Sequence, residues 1–263
     1  MKLPFTIIIP ARYQASRLPG KLLLDIAGKP VIQHVYERAK LSQATNIIVA
    51  TDDKNIADVI SNLGGQVCMT GSHHKTGTDR LGEVIQQLNL KQNELIVNVQ
   101  GDEPLIDPKH IDLVATNIQN FPQAAISTIC EPMNEYDEII NPNRVKVVLD
   151  KQGYALYFSR APIAWDQKNF SSPVKTLNLN THYRHIGLYA YRAGFINQYL
   201  AWGTCPLEKL ENIEQLRVLW HGHKIHVAVI NEKSLPGIDT AEDLSKVRAL
   251  YQMLNNQNSI STS

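Results

Sequence analysis

Short branched apolar runs alternate with helix-length amphipathic segments through the first half of this chain, and that alternation restricts the fold more than any single residue does. The apolar runs fall at 5–9, 46–50 (NIIVA), 66–69 and 94–99 (ELIVNV), and helical periodicity fills 30–41, 54–63, 78–89 and 108–119. Strands that are apolar on both faces belong in a parallel sheet covered by helices, because a half-exposed sheet would alternate polar with apolar. Pro30 and Pro108 open two of the helical segments, where a missing N–H leaves no bond unmade. The expectation is an α/β architecture whose ligands bind beyond the carboxyl ends of the strands.

After 124 the pattern changes. AAISTIC, RVKVVLD and YALYFSR read as successive strands without long helices between them. A loop over 162–182 follows, then a strand at 184–192, helical stretches at 193–201 and 206–220, and the strand KIHVAVI. A last helix starts at Thr240, which with Asp243 three residues on makes a capping-box pattern. The expected division is a core of 1–123 and 216–254 and a smaller lobe of 124–215. The tail of 255–263, NNQNSISTS, has nothing to pack and should fray.

The 26 basic and 25 acidic residues leave a net charge of +1 with no block of one sign, which argues against a nucleic-acid or membrane-surface partner. Hydrophobic residues make up 43% of the chain, enough for a sizeable core. Cys68, Cys130 and Cys205 are far apart and outside any CxxC spacing, so a disulfide framework is not expected and a reducing cytoplasm is. MKLPFTIIIPAR has too short an apolar part for a signal peptide, and no run approaches the ~20 apolar residues of a membrane span.

Three cations, Arg12, Arg17 and Lys21, follow the first strand within ten residues, among Pro10, Pro19 and Gly20 and with no acid between them. Beyond a strand that ends at Ile9 they would cradle polyphosphate together with backbone N–H groups; a solvated basic loop is the plain alternative. The stretch is not a Walker loop, since Leu22 and not Ser or Thr follows Lys21. NVQGDEP, 98–104, ends at the same edge. There Asp102 would suit Mg²⁺, which takes one or two carboxylates plus phosphate oxygens, although Gly-Asp-Glu-Pro is equally good turn chemistry. Asp239 in GIDTAEDL stands before a helix, where an acid also simply favours the dipole. TGTDR, 76–80, presents backbone to a base or merely starts a helix. HGHKIH, 221–226, holds no cysteine or carboxylate and reads as structural, and His73 and His74 read as exposed loop residues. No G-x-S-x-G, H-E-x-x-H or G-x-G-x-x-G occurs, which removes serine hydrolases, zinc proteases and dinucleotide dehydrogenases.

In this order, PARYQASRLPGK, ATDD, TGTDR, VNVQGDEP, YALYFSRAPI, RHIGLYAYR, IEQLR and PGIDTAEDL resemble the 3-deoxy-manno-octulosonate (Kdo) cytidylyltransferases, from residue 5 to about 250. The PAR…RLPGK loop is shared with other sugar nucleotidyltransferases, whereas YFSR and RHIGLYAYR are particular to the Kdo enzymes. The resemblance implies a Rossmann-like nucleotidyltransferase fold with a central mostly parallel sheet and a smaller dimerisation lobe. It implies a homodimer, a requirement for Mg²⁺, and transfer of CMP from CTP to Kdo for lipopolysaccharide assembly in a Gram-negative-type bacterium. It also implies that Pro10, Ala11, Arg12, Arg17, Lys21, Thr51, Thr76, Gly77, Arg80 and Gln100 bind CTP. Lys21, Arg12, Asp102 and Asp239 would carry catalysis, the two carboxylates as metal ligands. On the sugar side, Arg160 would meet the Kdo carboxylate with its planar fork, and His185, Tyr189, Glu214 and Gln215 the hydroxyls. The chain departs from the family pattern at Thr76, where serine is usual, and at Ala164 and Ala241, where proline is frequent.

Attack of the anomeric hydroxyl on the α-phosphorus needs in-line positioning and charge neutralisation and no protein nucleophile. Rival expectations are a cytidylyltransferase for a sialic acid or 8-amino-Kdo, a nucleotide-sugar glycosyltransferase, which would release no pyrophosphate, and a sensor that binds CTP without turnover.

Overall fold

The computed structural model describes residues 4–14, 17–170 and 181–260. In chain order the first elements are β1 Phe5–Ala11, β2 Asp25–Ile26, β3 Lys29–Pro30, α1 Val31–Ala39, β4 Asn46–Thr51, α2 Lys54–Asn62, β5 Gln66–Met69, α3 Gly77–Gln87, β6 Leu95–Asn98 and α4 Pro108–Asn120. Then come β7 Ala124–Pro132, α5 Tyr136–Ile140, β8 Lys146–Leu149, β9 Ala155–Ser159, β10 Tyr183–Arg192, α6 Ala193–Ala201, α7 Pro206–Glu211, α8 Leu216–Trp220, β11 Lys224–Val229 and α9 Ala241–Ile260. Packing divides the chain into two compact units, one of Met1–Leu90, Ile96–Asp112 and Leu235–Ser263, the other of Lys91–Leu95 and Leu113–Ser234.

In the first unit the strands lie in the order β6-β1-β4-β5, with β1, β4 and β5 parallel. Ile7, Ile8 and Ile9 are all fully buried. Successive strand residues point to opposite faces, so both faces of β1 are covered. Helices supply part of that cover through apolar positions three and four apart, such as Val31, Ile32, Val35 and Ala39 of α1 and Leu81, Val84 and Ile85 of α3. Each such side chain contributes about 1.5–3 kcal/mol by leaving water. The Asp53 carboxylate caps α2 by accepting from the Ile56 N–H at 3.0 Å, and Thr76 with Asp79 forms a reciprocal capping box on α3. β1 runs past its expected end at Ile9: Pro10 and Ala11 pair in register with Ala50 and Thr51. The cationic loop therefore begins at Arg12.

In the second unit β7 pairs in parallel with β11 and antiparallel with β10, and β8 pairs antiparallel with both β10 and β9. Because β11 pairs with β7, residues 216–234 pack with this unit and not with the core expected for them. The helical stretch expected over 206–220 is broken at Asn212, whose φ of 53° ends α7 before α8 begins. His226 is buried, bonded to Asn117 at 2.8 Å and to the Gln152 carbonyl at 3.0 Å, and His221 stacks on Trp202, so both of these HGHKIH histidines have packing partners.

α9 begins where the sequence indicates: Asp243 N–H donates to Thr240 Oγ1 at 3.2 Å and Thr240 N–H to Asp243 Oδ2 at 3.0 Å. The helix runs on to Ile260, into the stretch expected to fray, because extending a formed helix adds a backbone bond per residue without a new nucleus. Among the described residues, no helix is long and apolar enough to cross a membrane.

Candidate active site

Loops that leave the carboxyl ends of parallel strands share one edge of the sheet, so β1, β4 and β5 deliver residues 12–14 and 17–21, 52–53 and 70–76 to neighbouring positions. Gly20, at φ 67°, sits in the left-handed region open to glycine, and its N–H donates to the Tyr13 carbonyl at 3.1 Å. That turn directs Lys21 back over the sheet. Gly101 brings the turn after β6 against β1: a Cβ there would lie 2.9 Å from the Pro10 carbonyl oxygen, closer than atoms pack.

The two turns meet at Lys21. Its ammonium donates to Asp102 Oδ2 at 2.5 Å, to the Ile238 carbonyl at 2.8 Å and to Asp239 Oδ1 at 3.1 Å. Arg17 holds the other oxygen of Asp239 at 3.2 Å. Arg12 is exposed and donates to the Lys75 carbonyl at 3.4 Å. Pro10, Arg12, Lys21, Thr76, Gly77, Arg80, Gln100, Asp102 and Asp239 line one cleft. Of the residues expected to contact nucleotide, Ala11 and Thr51 are instead fully buried at strand ends and do not line it. The Thr51 hydroxyl accepts from the Asp53 N–H at 3.1 Å, which is turn chemistry.

Arg80 is 2% exposed, with its guanidinium bonded to Thr70 Oγ1 and 3.5 Å from Asp52. Neither Asp52 nor Thr70 is among the residues expected at the site from sequence, although ATDD directly after a strand is a signal for Asp52. His74, expected on the surface, lies in the cleft wall and pairs with Glu83 of α3. Burial works against the Glu83 charge, yet the bonds from His74, the Gly71 N–H and Gln87 hold its carboxyl below the usual range.

The second unit gathers most of the residues expected on the sugar side. Tyr189 donates its hydroxyl to Gln215 Oε1 at 3.2 Å, and Gln215 Nε2 donates to His185 Nδ1 at 3.3 Å. With Nδ1 accepting, His185 carries its proton on Nε2, which donates to Thr128 Oγ1 at 2.9 Å; Thr128 in turn donates to the Leu188 carbonyl at 2.8 Å. Burial, with Arg184 next to it, pushes His185 down to about 3, so the ring is neutral. Arg160 is anchored by the carbonyls of Glu211 at 2.6 Å and Pro142 at 2.9 Å, and its backbone N–H donates to the Glu211 carboxylate at 2.9 Å. Glu214 lies beside Gln215, its carbonyl accepting from the Tyr199 hydroxyl at 3.3 Å. Lys146 is fully buried and donates to the carbonyls of Arg160 at 2.6 Å and Asn141 at 2.9 Å. Burial and then the nearby Arg160 push this lysine down to about 8. Nothing in the sequence marks it, because a lysine in a strand carries no sign of burial.

The cytidylyltransferase family model matches residues 6–225. Among curated proteins, a 3-deoxy-manno-octulosonate cytidylyltransferase from Idiomarina loihiensis is 56% identical over 94% of this chain and 98% of its own length. The chain belongs to the 3-deoxy-manno-octulosonate cytidylyltransferase family. A second member, from Tolumonas auensis, is 57% identical over 93% of this chain and 95% of that one. A solved structure of a CMP:2-keto-3-deoxy-manno-octonic acid synthetase complexed with CTP superposes with a TM-score of 0.86 at 37% identity, covering 95% of this chain and 98% of that one. A 4-diphosphocytidyl-2C-methyl-D-erythritol synthase, 12% identical with a TM-score of 0.61 over 95% of this chain and all of its own, shares the fold. The mixed α/β architecture expected from sequence is therefore that of cytidylyltransferases.

Proposed function

We propose that this chain transfers CMP from CTP to 3-deoxy-D-manno-octulosonate, giving CMP-Kdo and pyrophosphate for lipopolysaccharide biosynthesis. The observation that carries the reading is the Lys21 ammonium bonded to both Asp102 and Asp239 in a cleft shared with Arg12, with Arg17 on the second oxygen of Asp239, in a chain 56% identical to a protein of that name. In the reaction the Kdo anomeric oxygen bonds to the α-phosphorus, the bond to the β-phosphate oxygen breaks, and the hydroxyl proton passes to solvent. Arg12, Arg17 and Lys21 neutralise the departing pyrophosphate, a task for fixed cations. Thr76, Gly77 and Arg80 hold the cytosine end, and Gln100 the ribose or sugar.

Oxygens of Asp102, Asp239 and the Ile238 carbonyl surround one cationic point, the Lys21 ammonium. This all-oxygen donor set fits Mg²⁺, which Asp102 and Asp239 would hold. When bound, Mg²⁺ supplies charge neutralisation on phosphate oxygens. On the sugar side, Arg160 takes the Kdo carboxylate, while neutral His185 with Tyr189, Glu214 and Gln215 takes the hydroxyls.

Further parts of this reading are a homodimer and a cytoplasmic setting. Leu156, Trp165 and Leu210 of the second unit are 60%, 63% and 83% exposed, which supports association through that unit. The free thiols of Cys68, Cys130 and Cys205, all buried, support a reducing compartment. Incubation with CTP, Mg²⁺ and Kdo should release one pyrophosphate per CMP-Kdo, identified by mass. Turnover only with 8-amino-Kdo or a sialic acid would reassign the sugar, and CTP binding without any turnover would overturn the enzymatic reading.

A further inference from the structure

Beside the oxygen-only carboxylate pair stands a second group of different chemistry. His73, His74 and Glu83 each offer one metal-ligand atom, and these atoms all lie within 4.8 Å of one another. The two imidazole centroids are 4.3 Å apart. Glu83 bonds His74 Nε2 through Oε2, which also accepts from the Gly71 N–H at 2.9 Å, while Oε1 accepts from Gln87 Nε2 at 2.8 Å. The space for the His73 ring exists because position 71 is glycine: a Cβ there would collide with the imidazole and stand 3.6 Å from Glu83 Oε2.

We infer that His73, His74 and Glu83 form a binding site for a borderline-soft divalent transition metal, zinc first. Two imidazoles and one carboxylate are a three-ligand zinc set that leaves a fourth position open. Zinc bonds of roughly 2.0–2.2 Å put tetrahedral donors roughly 3.3–3.5 Å apart, so binding opens the His74–Glu83 hydrogen bond to admit the ion and swings in the exposed His73 ring by a side-chain rotation. Hydrogen bonds from Gly71 and Gln87 already aim the Glu83 carboxylate, as partners of a ligating carboxylate do. Imidazole selects zinc, nickel or copper over Mg²⁺, whereas the Asp102–Asp239 pair offers oxygen alone, so the two groups select different ions. His74 also lines the cleft, which puts this ion in its wall.

The test is calorimetric titration of the nucleotide-free full chain with Zn²⁺ in excess Mg²⁺, which keeps oxygen-only sites occupied, followed by Co²⁺ substitution read by visible absorption. One zinc per chain is expected, with His73→Ala and Glu83→Gln each weakening it at least tenfold, and with intense four-coordinate Co²⁺ bands lost in both variants. Circular dichroism establishes that both variants are folded. His73→Asn, which keeps a polar side chain of similar reach, must weaken zinc as well. Equal zinc affinity in the original chain and the variants, or no zinc binding above background, overturns the site.

Discussion

The Lys21 ammonium lies 2.5 Å from Asp102 Oδ2, joining positions 81 residues apart, and Lys21 is only 12% exposed in its side chain against 29% for Asp102. The cation proposed to meet phosphate is thus paired with the carboxylates proposed to hold Mg²⁺. Lys21→Met should keep the fold and lower turnover on the order of 10²–10³-fold, as loss of one fixed charge-stabilising donor does. Without its ammonium the two carboxylates repel, so the variant should melt lower than the original chain in EDTA and gain more from added Mg²⁺. Kinetics and thermal melts check both; normal turnover would remove Lys21 from catalysis.

Asp239 shares the same ammonium at 3.1 Å. Asp102→Asn and Asp239→Asn should each weaken the Mg²⁺ dependence of turnover without unfolding the chain, and the double variant should lose less than the two single losses combined. Strict additivity in Mg²⁺ titrations would mean that the two carboxylates act at separate sites.

Arg160 is anchored by the Glu211 and Pro142 carbonyls, which leaves its guanidinium pre-oriented. Arg160→Ala should raise KM for Kdo far more than KM for CTP, and Arg160→Lys should restore only part, since an ammonium lacks the fork. Equal effects on both substrates would make Arg160 a structural residue.

His185 gives the acid side of stability a definite sign. Its folded value, about 3, lies below the ordinary 6.5, because burial and the adjacent Arg184 disfavour the cation. The contribution is complete above about 6.5 and is lost as pH falls from there towards 3, where only the unfolded chain takes up the proton. Tyr189 and Gln215 face the ring and Cys130 stands opposite it on β7, all uncharged in this range. His185→Asn should therefore flatten the stability loss between pH 6.5 and 4 by up to about 1.4 kcal/mol per pH unit. Urea unfolding across that range measures it; parallel curves for both proteins would refute the buried neutral histidine.

Much of the fold was legible because hydrophobic periodicity is local. The isoleucines of β1, the NIIVA run and the Thr240–Asp243 cap each announce their element within a few residues. Element ends were harder to read. Pro10 stays in β1 although it has no N–H to give the ladder, standing one residue before the strand's end, and Asn212 breaks a helix without a glycine or proline to mark it. The hairpin of β2 and β3, with two residues in each strand, is too short to show any period.

The sequence by itself determined the strand-helix alternation, the loop bearing Arg12, Arg17 and Lys21, and, through family resemblance, the residues to watch. Only the tertiary structure decided that Lys21 stands between Asp102 and Asp239, that Arg80 and His74 are drawn inward by Asp52 and Glu83, and that His185 is held neutral beside Gln215. Periodicity is written along the chain, one residue after the next. Ion pairing, desolvation and metal-ligand spacing depend on through-space distances of a few ångströms between residues tens to hundreds of positions apart, and no local pattern records those distances.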